Sequence, residues 1–227
     1  METKLHAGII IDGNRRYAKK LLLETWKGHE KGRERVEELI DYVTELELKE
    51  LTIYTLSQEN IKNRSQIELT HLYRIFREMF KNINKPKIKE KGIKINFIGD
   101  LDLIPGDLKK ECLNLEEETK NNQKFIINFA VAYSGRQEII EAVKKIINKK
   151  IKSGDINEEI IKENLYLKDD PDFIIRTGGD KRTSNFLPFQ STYSEWFFLD
   201  KTWPEFTKED LKNCIDEFKT RKRNFGK

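Results

Sequence analysis

The stretch HAGIIIDGNRR, residues 6–16, decides the fold. Its first six residues form an almost unbroken apolar run. Such a run is too continuous for a strand with one face in water, and it reads as a strand covered on both faces in a parallel sheet between helix layers. The run stops at Asp12-Gly13-Asn14-Arg15-Arg16. Gly13 permits a tight backbone approach, and Asn14 suits the cap of a following helix. The free N–H groups at that helix start favour an anion such as diphosphate. In open α/β sheets ligands gather at the carboxyl ends of strands, where these residues fall. An ordinary strand-to-helix turn with a capping Asn and a solvated Arg pair has the same composition, and this segment alone does not separate the two.

Five further runs, residues 51–56, 93–98, 124–133, 172–176 and 195–199, are β-branched, aromatic or otherwise apolar and are bounded by polar or glycine-containing turns. Helical patterns lie between them. Val36, Leu39, Ile40, Val43 and Leu46 predict a helix over residues 31–48. Ser65 followed by Glu68 is a capping-box signature opening a helix to about Asn82, with Leu69, Leu72, Tyr73, Phe76, Met79 and Phe80 in one stripe. A third helix is predicted over 136–152 with Ile139, Ile140, Val143, Ile146 and Ile147 inward, and the last follows Thr207 with Asp210 at its third position. The lysine-rich residues 86–92 read as an exposed connection. Strand and helix alternate, so the class is α/β, and residues 1–227 form one domain with no internal repeat or Gly/Ser linker.

The chain has 227 residues, 43 Lys plus Arg against 39 Asp plus Glu, and 37% hydrophobic residues, which is enough for a core despite a mean hydropathy of -0.71. A net charge of +4, with the signs interleaved, gives no nucleic-acid footprint. No stretch approaches 18 consecutive apolar residues and the first 30 carry charges throughout, so the expectation is a cytoplasmic protein. Cys112 and Cys214 lie outside any CxxC or Cys/His cluster, so neither a disulfide nor a zinc framework is expected. GxxxxGK[ST], GxGxxG and GxSxG are missing, which weakens nucleotide-binding and serine-hydrolase readings.

Two more strand ends carry polar clusters. The second run closes in Thr55-Leu56-Ser57-Gln58-Glu59-Asn60, with Arg64 just after; these are also ordinary turn residues. The fifth runs through Arg176 into Thr177-Gly178-Gly179-Asp180-Lys181-Arg182-Thr183-Ser184. A guanidinium at the end of an apolar strand is expensive to bury unpaired, so Arg176 requires an acidic partner or a ligand phosphate. Glu195 stands at the start of the last run, where by itself it is a strand-edge carboxylate.

Taken together, HAGIIIDGNRRYAKK, KGHEKG, LTIYTLSQENIKNR, NFIGDL, NFAVAYSGRQEI and IIRTGGDKRTSNFLPFQSTYSEWFFLDKTWPEF resemble the cis-prenyltransferase family over nearly the whole chain. The resemblance implies an open, six-stranded, mainly parallel sheet surrounded by helices, with a hydrophobic tunnel. It implies condensation of isopentenyl diphosphate with an allylic diphosphate, farnesyl or geranylgeranyl, to give a Z-polyprenyl diphosphate used as a glycosyl carrier lipid precursor. On it, Asp12 and Asn60 are the catalytic residues. Gly13, Asn14, Arg15, Arg16 and Tyr17, with His29, Ser57, Gln58, Glu59 and Arg64, line the allylic site. Arg176, Arg182, Thr183 and Ser184 hold isopentenyl diphosphate, and Asp12 and Glu195 bind Mg2+. A homodimer and transient peripheral contact with a membrane surface for product release are also implied, with no nucleic-acid partner. An amide such as Asn60 is a poor base, so its expected role is to orient a diphosphate oxygen or water that takes the proton, with His29 a further candidate. Leu69, Leu72, Tyr73, Phe76 and Phe80 are candidate tunnel wall, and plain core packing is the competing assignment. In this sequence the family's C-terminal RxG reads Asn224-Phe225-Gly226, with Arg223 adjacent. Retention of Asp12, Asn60, Arg176, Arg182, Ser184 and Glu195 argues for a catalytic chain over a non-catalytic partner subunit.

Overall fold

The computed structural model describes residues 5–222 except residue 84, so Arg223 and the Asn224-Phe225-Gly226 ending lie outside the described residues. The chain runs β1 (Leu5–Ile10), α1 (Asn14–Lys20), α2 (Thr25–Tyr42), β2 (Leu48–Ser57), α3 (Gln58–Asn63), α4 (Gln66–Asn82), α5 (Lys85–Glu90) and β3 (Ile93–Ile98). It continues through α6 (Gly106–Thr119), β4 (Phe125–Tyr133), α7 (Gly135–Asn148), α8 (Glu158–Lys162), β5 (Phe173–Arg176), β6 (Glu195–Phe198) and α9 (Lys208–Thr220). All six expected strands form, in one sheet of order β3-β4-β2-β1-β5-β6 with every pairing parallel.

That order positions the site. From β1 the chain first builds β2 on one side and only much later lays β5 on the other, so the connections leaving β1 and β5 diverge. A crevice opens outside their carboxyl ends at such a switch point. The register aligns Ile10 with Tyr54 on β2 and with Arg176 on β5, so β1 and β5 end level while β2 runs on to Ser57 beside the crevice.

On one face of the sheet Ala7, Ile9, Leu51, Ile53 and Phe129 bury against α2, α4 and α9 in the main core. On the other, Ile10, Tyr54, Ala130 and Ile174 pack with Tyr133, Phe186 and Leu187. Burial on both faces explains the unbroken apolar runs.

Several helix limits differ from expectation. The helix predicted over 31–48 begins at Thr25 and ends at Tyr42, after which a 3-10 turn, Val43–Glu45, leads into β2. Gly28 and Gly32 look like breakers in the sequence but are contact points. A Cβ on Gly28 would lie 1.9 Å from the Asn14 carbonyl oxygen, and one on Gly32 would lie 2.3 Å from Asn14 Oδ1, so α2 rests directly on the first turn of α1. Residues 86–92 are not an open connection, since α5 crosses them and buries Ile88. α7 stops at Asn148 and buries Glu138, Ala142 and Ile146, whereas Ile140, Val143 and Ile147 are exposed, Ile147 at 66%. The inward stripe therefore follows 138, 142 and 146 at a spacing of four. The last helix forms as expected, with the Thr207–Asp210 capping box complete.

Candidate active site

Asp12 leaves β1 in a turn held from two distant parts of the chain. Thr177 Oγ1 donates to the Asp12 carbonyl at 2.8 Å and accepts from its N–H at 3.1 Å, while the Trp203 N–H donates to the same carbonyl at 2.9 Å. Gly13 then turns with φ of +101°, a region that disfavours side chains, and a Cβ there would lie 2.8 Å from Thr202 Cβ. The Asp12 carboxylate is thereby fixed at the strand end. It accepts from Gly13 N at 2.6 Å and from Arg176 Nη2 at 2.8 Å, and it pairs with Arg16 Nη2 at 3.0 Å. Burial alone would raise this carboxyl, but the Arg176 hydrogen bond and the Arg16 charge outweigh it and leave it below the ordinary range.

Arg176, with 4% of its side chain exposed, has the acidic partner that its position demanded. Its other donor branch, Nη1, reaches the Arg182 carbonyl and Ser184 Oγ, both at 2.6 Å. The buried Arg176 therefore organises the loop that carries Arg182. Arg16 Nη1 also donates to the Gly178 carbonyl. Asp180 stands among these arginines, with Oδ2 2.9 Å from Arg182 Nη2 and 3.1 Å from Arg16 Nη2.

Across the crevice the Ser57 hydroxyl caps α3 by accepting from Asn60 N at 3.0 Å, and the Asn60 side-chain carbonyl accepts from Arg64 Nη2 at 3.2 Å. Glu68 does cap α4 through its backbone, donating to Ser65 Oγ. Its carboxylate turns into the site, where Oε1 lies 3.2 Å from Arg64 Nη1, 3.6 Å from His29 Nε2 and 4.0 Å from Arg15 Nε. The nearby imidazole, then Arg64 and Arg15, overcome partial burial and hold Glu68 below the ordinary carboxylate range. Burial pushes His29 down, against the pull of Glu68.

One cavity of about 390 Å³ joins these groups. Asp12, Asn14, Arg15, His29, Ser57, Asn60, Arg64, Arg176, Arg182 and Ser184 line it, and beyond them it continues between α2 and α4 along Val36, Leu72, Ile75, Phe76 and Met79. An adjoining recess adds Gly13 and Arg16. Of the candidate wall residues, Leu72 and Phe76 face the cavity. Leu69, Tyr73 and Phe80 belong to the core, Phe80 packing edge-on against Phe97 and Phe129.

Some expected site residues stand outside the cavity lining. Tyr17 lies partly buried on α1, Gln58 is buried at the start of α3, and Thr183 is exposed. Glu59 accepts from Asn185 Nδ2 at 2.9 Å, tying α3 to the loop after β5. Glu195 opens β6 in register with Phe173, at the amino end of the strands, and its carboxylate accepts from Arg221 Nη1 at 2.8 Å. Asp12 sits beyond the carboxyl ends, so parallel register places the two carboxylates of this chain at opposite edges of the sheet.

Among the described residues no three His, Cys, Asp or Glu side chains gather as a metal site. Magnesium commonly takes one or two carboxylates together with substrate phosphates, and Asp12, a low-pKa oxygen donor beside clustered arginines, fits that donor set. The sequence reading missed Asp180 and Glu68. Asp180 resembles a polar turn residue, and the cap signature of Glu68 accounts for its backbone but not its side chain.

A family model described as "Putative undecaprenyl diphosphate synthase" matches residues 10–226. The tritrans,polycis-undecaprenyl-diphosphate synthase (geranylgeranyl-diphosphate specific) of Picrophilus torridus is 42% identical over 228 residues, covering 97% of this chain and 89% of that protein. The enzyme of the same name from Pyrococcus furiosus is 41% identical over 229 residues, covering 98% and 86%. Among solved structures, lavandulyl diphosphate synthase from Lavandula x intermedia, in complex with dimethylallyl diphosphate, superposes with a TM-score of 0.93 at 32% identity, covering 98% of both chains. A "probable undecaprenyl diphosphate synthase" from Campylobacter jejuni superposes with a TM-score of 0.84 at 30% identity over 100% of both.

Proposed function

The chain belongs to the undecaprenyl diphosphate synthase family of cis-prenyltransferases, and from that premise we propose that it extends geranylgeranyl diphosphate with successive isopentenyl units. The product is a Z-polyprenyl diphosphate, the precursor of a glycosyl carrier lipid. The observation that carries this reading is the single cavity whose one end gathers Asp12, Arg64, Arg176 and Arg182 and whose other end is apolar. The names of the Picrophilus and Pyrococcus relatives support the primer.

In this mechanism Arg176, Arg182 and Ser184 hold the diphosphate of isopentenyl diphosphate, while Arg15, Arg16 and Arg64 receive that of the allylic primer. Asp12 would hold a divalent cation, magnesium, which would supply positive charge against the departing diphosphate. As the allylic C–O bond breaks, positive charge develops on carbon and negative charge on the leaving group, and the fixed guanidinium groups stabilise the latter. The isopentenyl double bond attacks the allylic carbon, and loss of a proton from the isopentenyl unit restores a double bond. Asn60, its carbonyl already engaged by Arg64, orients the group that takes this proton. The growing chain passes along Leu72, Phe76 and Met79. Burial of a CH2 contributes about 0.8 kcal/mol, so each sheltered C5 unit adds up to about 4 kcal/mol and tunnel length sets where elongation stops. The exposed Ile140, Val143 and Ile147 support a homodimer, and the exposed Leu21, Leu22 and Leu23 support peripheral membrane contact.

Incubation of the purified chain with Mg2+, isopentenyl diphosphate and geranylgeranyl or farnesyl diphosphate tests the function. Polyprenyl diphosphates, longest and fastest-formed from geranylgeranyl diphosphate, are the expected products. Absence of any elongation would favour an accessory subunit. In the Arg182→Ala variant the KM for isopentenyl diphosphate rises at least about tenfold, because a charge-assisted contact is lost; an unchanged KM would remove Arg182 from that subsite.

A further inference from the structure

We propose that Asp180 is an internal counter-ion that competes with substrate diphosphate for the same arginines and so sets the affinity for isopentenyl diphosphate. The inference rests on the functional reading above and adds a residue to it. Asp180 Oδ2 lies 2.9 Å from Arg182 Nη2, 3.1 Å from Arg16 Nη2 and 4.0 Å from Arg176 Nη2. One carboxylate oxygen thus sits at the meeting point of three guanidinium groups, the arrangement in which a phosphate oxygen would sit.

The three arginines differ in what else they have. Arg176 is buried, with both terminal nitrogens engaged by Asp12, Ser184 and the Arg182 carbonyl and only Nε left without a partner. Arg16 and Arg182 keep 47% and 61% of their side chains exposed, and Asp180 is a partner of both. A diphosphate entering between them must take these N–H groups from Asp180, two negative charges being unable to share so small a space without strong repulsion. The turn gives Asp180 somewhere to go. Gly178 and Gly179 precede it with φ of +89° and +82°, and their N–H groups donate to the Lys201 and Leu199 carbonyls, both at 2.8 Å. The chain is therefore anchored just before Asp180. After it, residues 181–183 are exposed and belong to no helix or strand. Exposed carboxylate–guanidinium pairs are individually weak, so a multiply charged diphosphate displaces the carboxylate at modest cost. The device lowers affinity for a monoanion far more than for a diphosphate, because only the latter brings enough charge to win the exchange.

The test is calorimetric titration of inorganic pyrophosphate, in EDTA, into the wild-type chain and the Asp180→Asn, Asp200→Asn and Arg182→Ala variants, each checked for cooperative unfolding. Asp200 removes the same charge beside the same turn, a Gly179 Cβ lying 3.5 Å from its Oδ1. The expected result is pyrophosphate binding at least threefold tighter in Asp180→Asn, little changed in Asp200→Asn and weakened in Arg182→Ala, with a parallel fall in KM for isopentenyl diphosphate in Asp180→Asn. A merely structural residue does not yield a gain in affinity on removal. Unchanged or weaker binding in Asp180→Asn, or equal tightening in Asp200→Asn, overturns the proposal while leaving the enzyme's function standing. No pyrophosphate binding in any of the four overturns both this proposal and the anion site beneath it. If Asp180→Asn does not fold, Asp180→Ala takes its place under the same criteria.

Discussion

Asp12 serves two purposes at once, and its substitutions separate them. It lines the cavity proposed for the reaction and it neutralises a buried arginine. Asp12→Asn keeps an acceptor for Arg176 but removes the charge, and turnover is expected to fall at least about 10²-fold with folding retained, measured as labelled isopentenyl incorporation. Asp12→Ala strands the Arg176 guanidinium and is expected to lose up to about 3–5 kcal/mol of stability as well, read from urea unfolding. Glu68→Gln weakens the grip on Arg64 and His29, and a rise in the allylic KM of roughly tenfold, with a nearly unchanged melting temperature, is the expected signature. At this scale the sequence was legible wherever a polar residue interrupts a buried run, as Asp12 and Arg176 do. It was mute for Glu68 and Asp180, whose neighbours come from α1, α2 and the turn after β5. That Glu195 stands at the opposite end of the strands from Asp12 was not legible either, because a strand's first residue and its last look alike in one dimension.

Between α1 and α2 the contact is backbone on backbone, which makes its glycines intolerant. Gly28→Ala drives a methyl into the Asn14 carbonyl and is expected to cost about 2–4 kcal/mol with concomitant loss of activity, measured by the urea midpoint. Apolar periodicity could not reveal this, and α2 was accordingly read as starting six residues late. On β1, His6 sits 1% exposed with Nε2 2.8 Å from Thr52 Oγ1, and burial pushes its pKa down from 6.5 to about 4. Between those values the unfolded chain binds the proton more tightly. Stability is thus complete above pH 6.5 and falls as the pH drops toward 4, by at most about 3 kcal/mol. Buried Glu50 and Glu138, whose pKa values burial raises, act in the opposite sense. The difference between wild type and His6→Gln in unfolding free energy at pH 7 and pH 5 isolates the histidine, and the variant is expected to show the smaller loss. Equal losses would contradict the assignment.

For the whole molecule the strand runs, the α/β class and the open parallel sheet were legible because a doubly covered strand must be apolar throughout. The cavity was legible only in part. The α4 stripe contains both its lining and the core, and only the helix rotation against α2 assigns Phe76 and Met79 to the first and Phe80 to the second. Met79 lies farthest along α4 from Arg64 among the lining residues, so Met79→Trp is expected to shorten the products while sparing the first condensations, as seen by mass analysis. A full-length product distribution would place the growing chain elsewhere.

The peptide of Asp12 is gripped by Thr177 and Trp203, and its carboxylate by Arg176. The earliest-synthesised part of the catalytic centre thus waits for some of the latest. Without residues 176, 177 and 203, Asp12 lacks both the clamp on its peptide and the guanidinium that fixes its carboxylate. A shortened chain that stops before residue 203 is therefore without the anchorage that holds this carboxylate at the strand end.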